Sequence, residues 1–165
     1  MIGGALASLV ASALATAQAP VHQSDGYSVW AGAGLGVSSN SDLTGAWQAY
    51  VGRGSVGLGY QGSASDNFSG ATRSAHAILA TAILPYGRAR GRVAAGVASA
   101  RLCLTEGEQA GNTTCRSAGA AEVAVSVDVL LSPFFALDVS YFTIPRTDIG
   151  QSAMLIGVMV GRFRQ

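Results

Sequence analysis

The sequence has very little charge and no lysine. Only 12% of its 165 residues are charged, and ten arginines balance nine acids to a formal net charge of +1. Soluble domains average about 25% charged residues, so this chain is short of the groups that usually cover a water-exposed surface. Because it also has no basic tract and no basic-aromatic pattern, we expect no nucleic-acid partner.

Long apolar runs are absent beyond the N-terminus. Residues 1–19 are uncharged, are apolar from about Ala5 to Ala17, and end on Ala17-Gln18-Ala19, the small-x-small pattern at which secretory signals are cleaved. We therefore expect a signal peptide over residues 1–19 and a short N-terminal extension over 20–25. An uncleaved membrane anchor is the alternative. No later stretch reaches the roughly 18 apolar residues of a membrane-spanning helix.

Motifs for catalysis or metal binding are also missing. His76 has no cysteine, aspartate or histidine at metal-ligand spacing, and no G-x-S-x-G nucleophile motif occurs. Gly52-x-Gly54-x-x-Gly57 has the letters of a dinucleotide fingerprint. That motif requires a helix after the turn, and a strand pattern follows here, so we interpret it as a hairpin turn. We expect no catalytic residue, no metal and no cofactor.

The sequence is rich in strand-like alternation. In "AAEVAVSVDVLL", residues 120–131, an apolar residue occupies every second position from Ala121 to Leu131, and two acids, Glu122 and Asp128, lie between them. Successive strand residues point to opposite faces, so one face is aliphatic and the other carries carboxylates. In a soluble protein the aliphatic face is inside. In a membrane barrel it meets lipid, and the acids line the lumen.

Similar alternation predicts eight strands, near residues 27–37, 46–52, 55–63, 73–84, 91–102, 120–131, 135–142 and 153–163. The fourth and fifth are Ala-rich and have helical propensity as an alternative, but their alternating, Gly-rich neighbours favour strands. The connections alternate between long and short, as "SSNSDLTG" and "RG" do at the beginning and "SPF" and "TIPRTDIGQ" at the end. This alternation indicates an up-and-down barrel with both termini and the short turns on one side.

In these features the chain resembles the small eight-stranded outer-membrane β-barrels of Gram-negative bacteria, the OmpA-like or OmpX-like type, over about residues 25–163. The resemblance implies an all-β fold, an eight-stranded antiparallel up-and-down transmembrane β-barrel over residues 26–165, preceded by the signal peptide. It also implies an outer-membrane location, contact with outer-membrane lipid and lipopolysaccharide, and insertion by the barrel-assembly machinery. Members usually end on an aromatic residue; here Phe163 is followed by Arg164 and Gln165.

The residue types favour aliphatic faces on the outside. The opposite faces of most predicted strands consist of Gly, Ala, Ser and Gln with a few charges. Small side chains fit the narrow interior of an eight-stranded barrel, which side chains fill without leaving a pore. On the outside they would solubilise a domain poorly. We therefore expect the valines of residues 120–131 to face lipid.

The acids of these inner faces predict a charge cluster. If residues 132–134 form the turn of a hairpin, Asp128 lies opposite Asp138, and opposed carboxylates need a cation or a shared proton. Arg92 has inward parity near the periplasmic end of the fifth strand and is the expected partner. We predict a lumen charge cluster of Arg92, Glu122, Asp128 and Asp138. We favour a buried ionic network that fills and fixes the barrel over a gate or proton-sensitive plug.

Cys103 and Cys115 are the only two cysteines. The expected signal peptide sends them to an oxidising compartment, where disulfides persist, so we predict that they are bonded to each other. Cys103 ends the fifth predicted strand, and Cys115 lies in the longest predicted loop. We therefore expect the disulfide to clip an outward loop.

Together these features predict a non-enzymatic outer-membrane β-barrel with a structural or surface-interaction role and an unknown surface partner. One alternative is a secreted or periplasmic soluble β-barrel that binds a small apolar ligand in its lumen. Another is a lipid-modifying outer-membrane enzyme, which needs a Ser/His/acid set at the outer rim. The sequence around His76 offers no clear partner for such a set.

Overall fold

The computed structural model describes residues 26–40, 42–66, 70–106, 112–145 and 148–163. The expected signal peptide over 1–19 and the extension over 20–25 are therefore outside the described residues. The strands are β1 (Tyr27–Ser38), β2 (Leu43–Arg53), β3 (Val56–Asp66), β4 (Ala71–Tyr86), β5 (Ala89–Glu106), β6 (Asn112–Ser132), β7 (Phe135–Ile144) and β8 (Gln151–Arg162). No helix among the described residues is long and apolar enough to cross a membrane.

The eight strands form a closed barrel in sequence order. Each strand pairs antiparallel with its neighbours in the chain, and β8 pairs with β1 to close the sheet. This confirms the predicted eight-stranded antiparallel up-and-down barrel. Closure leaves no exposed sheet edge along the shared height of the strands, which a membrane barrel requires because lipid cannot satisfy free backbone groups.

The connections alternate in length as predicted. At the end where β1 begins and β8 ends, residues 54–55, 87–88 and 133–134 form tight turns. Gly54 and Gly87 each have φ of 59°, a left-handed conformation that glycine adopts without steric cost. The hairpin interpretation of Gly52-x-Gly54-x-x-Gly57 is therefore confirmed. At the other end the connections are longer, and we call the two ends periplasmic and extracellular, as in barrels with this asymmetry.

Side chains alternate between a lumen and an apolar exterior. Every strand contributes large apolar residues that are 41–71% exposed, for example Val29, Val51, Leu58, Ile78, Val97, Val127, Val139 and Ile156. Monomeric soluble proteins rarely expose a continuous apolar surface of this extent, whereas a transmembrane barrel carries an outward apolar band about 25 Å tall. The aliphatic faces therefore meet lipid, and the barrel spans a bilayer.

The β5–β6 hairpin is longer than the sequence predicted. Its pairing extends to Glu106 opposite Asn112, whereas the pairing of β6 with β7 begins only at Val123. The hairpin therefore projects beyond its neighbour at the extracellular end. The prediction that β6 begins near 120 was wrong, since the strand begins at Asn112. Residues 113–117 are all exposed. With both faces in water, the strand has no apolar alternation to detect.

Candidate functional site in the barrel lumen

A cluster of buried charges lies in the periplasmic half of the lumen. The β6–β7 register pairs Asp128 with Asp138, and both are at most 2% exposed. Arg90 and Arg92 share the inward face of β5, and Arg90 lies opposite Asp128. Both arginines are also buried. The register thus brings two carboxylates and two guanidinium groups to one level of the barrel.

Arg92 is at the centre of the contacts. Its Nε donates to the Asp128 carboxylate at 2.9 Å, and its Nη2 donates to Asp138 Oδ1 at 2.6 Å. Arg90 Nη2 donates to Asp128 Oδ2 at 2.9 Å. Gln48, from the other side of the lumen, accepts from Arg92 Nη1 at 3.1 Å and donates to Asp138 Oδ2 at 3.2 Å. Both carboxylates therefore have charged donors, which buried charges require.

Aromatic side chains continue this network towards the periplasmic end. The Trp30 ring stacks on Tyr50 with 5.2 Å between centroids and on Phe163 with 6.3 Å. The Arg92 guanidinium lies 4.5 Å from the Trp30 centroid, and that of Arg90 lies 4.6 Å from the Phe163 centroid. Cations are attracted to the faces of aromatic rings at such distances. Charges and rings therefore form one plug that includes residues of β1, β2, β5, β6 and β7.

The sequence prediction missed Arg90 and Gln48. The stretch "PYGRARG", which contains Arg90, was predicted to be a connection because of its proline and glycines, but β5 begins at Ala89. The signal that could have found Arg90 is its two-residue separation from Arg92, which places both on one face of a strand. Gln48 has inward parity on β2, but nothing in the sequence indicates which height of the lumen it reaches.

Glu122 does not join the cluster, so that part of the prediction was wrong. It faces the lumen and is 1% exposed, but it lies six residues from Asp128 along β6, about 20 Å at strand spacing. Its inward neighbours Ala120 and Ala124 pack against a cluster composed mostly of alanines. Among the described residues, none hydrogen-bonds to its carboxylate oxygen Oε1. The two-residue alternation correctly predicted that Glu122 faces the lumen, but it did not predict the distance between Glu122 and the arginines.

The predicted disulfide joins Cys103 and Cys115. The two residues are directly opposite each other in the β5–β6 register. The bond therefore links two paired strands of the projecting hairpin, and the prediction that Cys115 lies in a loop was wrong for the reason given above for the length of β6. The bond cross-links the projecting part of the hairpin above the apolar band.

His76 lies on the outer surface of β4, away from the lumen. Its Nδ1 is 2.6 Å from the Tyr60 hydroxyl oxygen, and the Trp47 ring meets it edge-on at 5.9 Å. Ser99 is opposite His76 in the β4–β5 register. Within the described parts of the chain, neither a serine hydroxyl nor a carboxylate hydrogen-bonds to the imidazole. The described residues thus do not form a Ser/His/acid set at this position.

Above the charge cluster, the lumen contains a small cavity. Its lining includes Arg92 and Gln48 below and Gln61, Thr81, Ser126 and Ser140 around the walls. These hydroxyl and amide groups can hold ordered water on the network, as polar cavities in proteins do. Where the structure describes the chain, no group of three or more His, Cys, Asp or Glu residues is arranged to hold a metal ion.

No family model and no curated protein sequence matches the chain, but solved structures do. Neisserial surface protein A has a TM-score of 0.65 at 14% identity, over 83% of this chain and 97% of that one. The N-terminal β-barrel domain of Pseudomonas aeruginosa OprF has a TM-score of 0.67 at 12% identity, over 81% and 96%. The outer-membrane enzyme PagL has a TM-score of 0.52 at 10% identity, over 79% and 98%.

This chain therefore has the fold of the small eight-stranded outer-membrane β-barrels, of the OmpA-like and OmpX-like kind. The fold occurs in a surface protein and in an enzyme alike. Function has to be inferred from the residues of the site, because one fold hosts many functions.

Proposed function

We propose that this protein is a non-enzymatic outer-membrane β-barrel of a Gram-negative-type bacterium, with a closed lumen and a structural or surface-interaction role. The observation that carries the proposal is the filled lumen. Arg90, Arg92, Asp128 and Asp138 join across the interior, and the Trp30 stack lies beneath them. An eight-stranded barrel is narrow enough for such side chains to fill it.

The projecting β5–β6 hairpin supports a role at the cell surface. β5 has 18 residues and β6 has 21, whereas β1, β2, β3, β7 and β8 have between 10 and 12. The additional residues extend at the extracellular end, where Thr113–Ser117 are exposed and Cys103 is bonded to Cys115. Because a cross-linked hairpin loses little conformational freedom when it binds, it is a favourable element for contact with a surface partner.

The soluble alternative is disfavoured by the exterior. A soluble ligand-binding barrel would expose the aliphatic residues of all eight strands to water, and such a surface associates or aggregates. Its lumen would also have to admit an apolar ligand. The interior of this barrel instead contains ion pairs and a small cavity bordered by Arg92 and Gln48.

The enzyme alternative has one observation in its favour, the outward His76 beside Ser99. A nucleophilic serine requires a base within hydrogen-bond reach and a group that orients the base. In this structure the His76 ring nitrogen Nδ1 contacts the Tyr60 phenol. A neutral phenol does not supply the negative charge with which a carboxylate orients and stabilises a histidine base, so we retain the non-enzymatic role as the proposal.

Membrane fractionation tests the location. The outer-membrane fraction is run on a gel with and without boiling, because folded barrels of this type migrate differently from the unfolded chain. We expect a shifted band that disappears on boiling. Recovery of the protein in the soluble periplasmic fraction would contradict the proposal.

Two further measurements test the closed lumen and the absence of catalysis. Purified protein in a planar lipid bilayer should give no steady single-channel current, and the same preparation incubated with an acylated, phosphorylated glycolipid should leave the glycolipid mass unchanged. Arg92→Ala serves as the comparison in the current measurement, because it removes the centre of the plug. A steady current through the unaltered protein, or loss of an acyl chain that His76→Ala abolishes, would overturn the proposal.

A further inference from the structure

The outer face of β4, β5 and β6 changes from apolar to polar side chains at one level of the barrel. In register across the three strands, five successive outward rows contain no polar side chain except the Tyr86 hydroxyl: Tyr86–Ala89–Val129, Leu84–Gly91–Val127, Ala82–Val93–Val125, Ala80–Ala95–Val123 and Ile78–Val97–Ala121. From Val129 to Ala121 they follow the strand for about 27 Å. With the usual strand tilt this corresponds to most of an apolar band about 25 Å tall, so the next row lies at its extracellular edge.

The next two rows carry hydrogen-bond donors. They are His76–Ser99–Gly119 and Ser74–Arg101–Ser117, and we call the side chains of His76, Ser99, Ser74, Arg101 and Ser117 the donor patch. Directly paired residues on one face have Cβ atoms about 4.5–5.5 Å apart, and successive rows are about 7 Å apart. The patch is thus the size of one phosphate with its attached group.

The patch has positive charge without an internal partner. Arg101 is exposed, and among the described residues it makes no ion pair. The acid nearest to it in the outward rows is Asp66, which lies opposite Thr72, one row further out and on β3, two strands from Arg101. Neither row of the donor patch contains an acid, so an anion at Arg101 meets donors on its own row and on the row below.

His76 is held in place to contribute a further donor. The Tyr60 hydroxyl is 2.6 Å from His76 Nδ1, and Trp47 lies against the ring. When Tyr60 donates to Nδ1, the proton of the neutral imidazole is on Nε2, and this nitrogen becomes a donor. The aromatic neighbours restrict the ring, so little conformational entropy is lost when Nε2 binds an anion.

We infer that the donor patch binds the phosphate of a membrane lipid in the outer leaflet. The guanidinium of Arg101 matches two phosphate oxygens at once, and the hydroxyls of Ser74 and Ser117 flank it. The lipid's acyl chains then lie along the aliphatic rows that begin at Ile78 and Val97, which are 62% and 71% exposed. This continuity favours an amphiphilic lipid over a free phosphate ion. The inference rests on the membrane location given under the proposed function.

The test compares one glycolipid with and without its phosphates. Full-length mature protein in maltoside micelles, which contain no phosphate, is mixed with a phosphorylated acylated disaccharide or with its dephosphorylated form. The lipid that is retained is counted by native mass spectrometry. We expect the unaltered protein to retain roughly five- to tenfold more of the phosphorylated form, and the double variant Arg101→Gln, His76→Gln to lose this preference.

Arg88→Gln is the matched control, since Arg88 is an exposed arginine in the β4–β5 turn at the opposite end of the same strands. It should keep the preference. Equal retention of the two glycolipids, an effect of the control as large as that of the double variant, or displacement of the lipid by an equal concentration of inorganic phosphate would each overturn the inference. The gel shift on boiling is measured on every sample. A protein that shifts normally but shows no preference refutes this inference alone, and absence of the shift refutes the membrane location.

Discussion

The two ends of the barrel are stabilised by different means. At the periplasmic end, tight turns close the strands, and charged hydrogen bonds join Arg90, Arg92, Asp128 and Asp138 over a stack of aromatic rings. At the extracellular end, the lumen is lined largely by alanines, and among the described residues the buried Glu122 carboxylate has an oxygen without a partner. The other buried acid there, Asp42, pairs with Arg73 at 3.1 Å, and a disulfide holds the projecting hairpin.

This difference shows that burial of charge is tolerated where the register supplies the opposite charge. Asp128 and Glu122 are both acids on the inward face of β6, and both are at most 1% exposed. Asp128 lies opposite Arg90, whereas Glu122 lies opposite Gly96. The neighbouring strand, and not the acid itself, therefore decides whether the carboxylate stabilises the lumen.

The largest expected effect comes from breaking the periplasmic network at its centre. Arg92→Ala removes the cation from Asp138 and one of two cations from Asp128, and breaking a buried pair typically lowers stability by about 3–5 kcal/mol. Urea unfolding in lipid vesicles, followed by tryptophan fluorescence, measures the loss. Arg88→Ala, an exposed arginine, is the control. A loss as small as that of Arg88→Ala would mean that the network does not stabilise the barrel.

Adding a second substitution sharpens this prediction. Asp138→Asn in the Arg92→Ala background should recover part of the lost stability, because it removes a carboxylate that has lost its cation. Asp128→Asn should recover less, since Arg90 still binds Asp128 at 2.9 Å. Equal recovery by both would argue that Arg90 and Arg92 are interchangeable.

The second effect tests the apolar outer surface that lies between the two ends. Val125 faces outward near the middle of the apolar rows of β6, so Val125→Arg should lower the free energy of unfolding in lipid by about 2–4 kcal/mol. Ala124→Ser, on the adjacent lumen position, should have little effect. Normal folding of Val125→Arg together with failure of Ala124→Ser would reverse the assignment of inside and outside.

A third effect should be confined to the extracellular end. Replacing Cys103 and Cys115 by serine removes a cross-link that closes a short loop, which is worth up to about 3 kcal/mol. We expect the barrel to fold without it, and the hairpin beyond residue 100 to be cleaved faster in limited proteolysis. Reduced unaltered protein should behave in the same way. If loss of the bond prevented the gel shift, the hairpin would be part of the barrel's core stability.

The smallest effect compares the two buried acids directly. Asp128→Asn weakens hydrogen bonds from both arginines and should cost about 1–3 kcal/mol. Glu122→Gln removes a charge that has no cation beside it in the described part of the chain, so stability should stay within about 1 kcal/mol of the unaltered protein or rise. Both are read from the same urea unfolding curves. A large loss for Glu122→Gln would show that Glu122 has a partner of its own.

The sequence predicted which side chains of β6 face the lumen and how β6 pairs with β7. It did not predict how high along the barrel axis each side chain lies. Asp128 was placed opposite Asp138 because a short turn and a two-residue period fix the pairing of a hairpin. Glu122 was grouped with them because parity assigns a face but gives no distance to Arg92. That distance follows from the lengths of β5 and β6, which the sequence did not determine.

The projecting hairpin and Arg90 were missed for two different physical reasons. Residues 113–117 form a strand through backbone pairing and the disulfide, with water on both faces, so their side chains carry no alternation. Arg90 is close to Gly87 and Pro85, which resemble a connection, although the turn itself is only residues 87–88. In both cases pairing between β5 and β6 extends the strand, and this pairing is not visible in the local sequence.

The stack of Trp30 on Phe163 joins the first strand of the chain to its last described residue. Residues so distant in sequence meet only when β8 has paired with β1. The plug is therefore complete only when the barrel is closed, because the Arg90 guanidinium packs on the ring of Phe163. A barrel open at this seam lacks the Trp30–Phe163 contact, so sealing of the lumen is coupled to closure of the sheet.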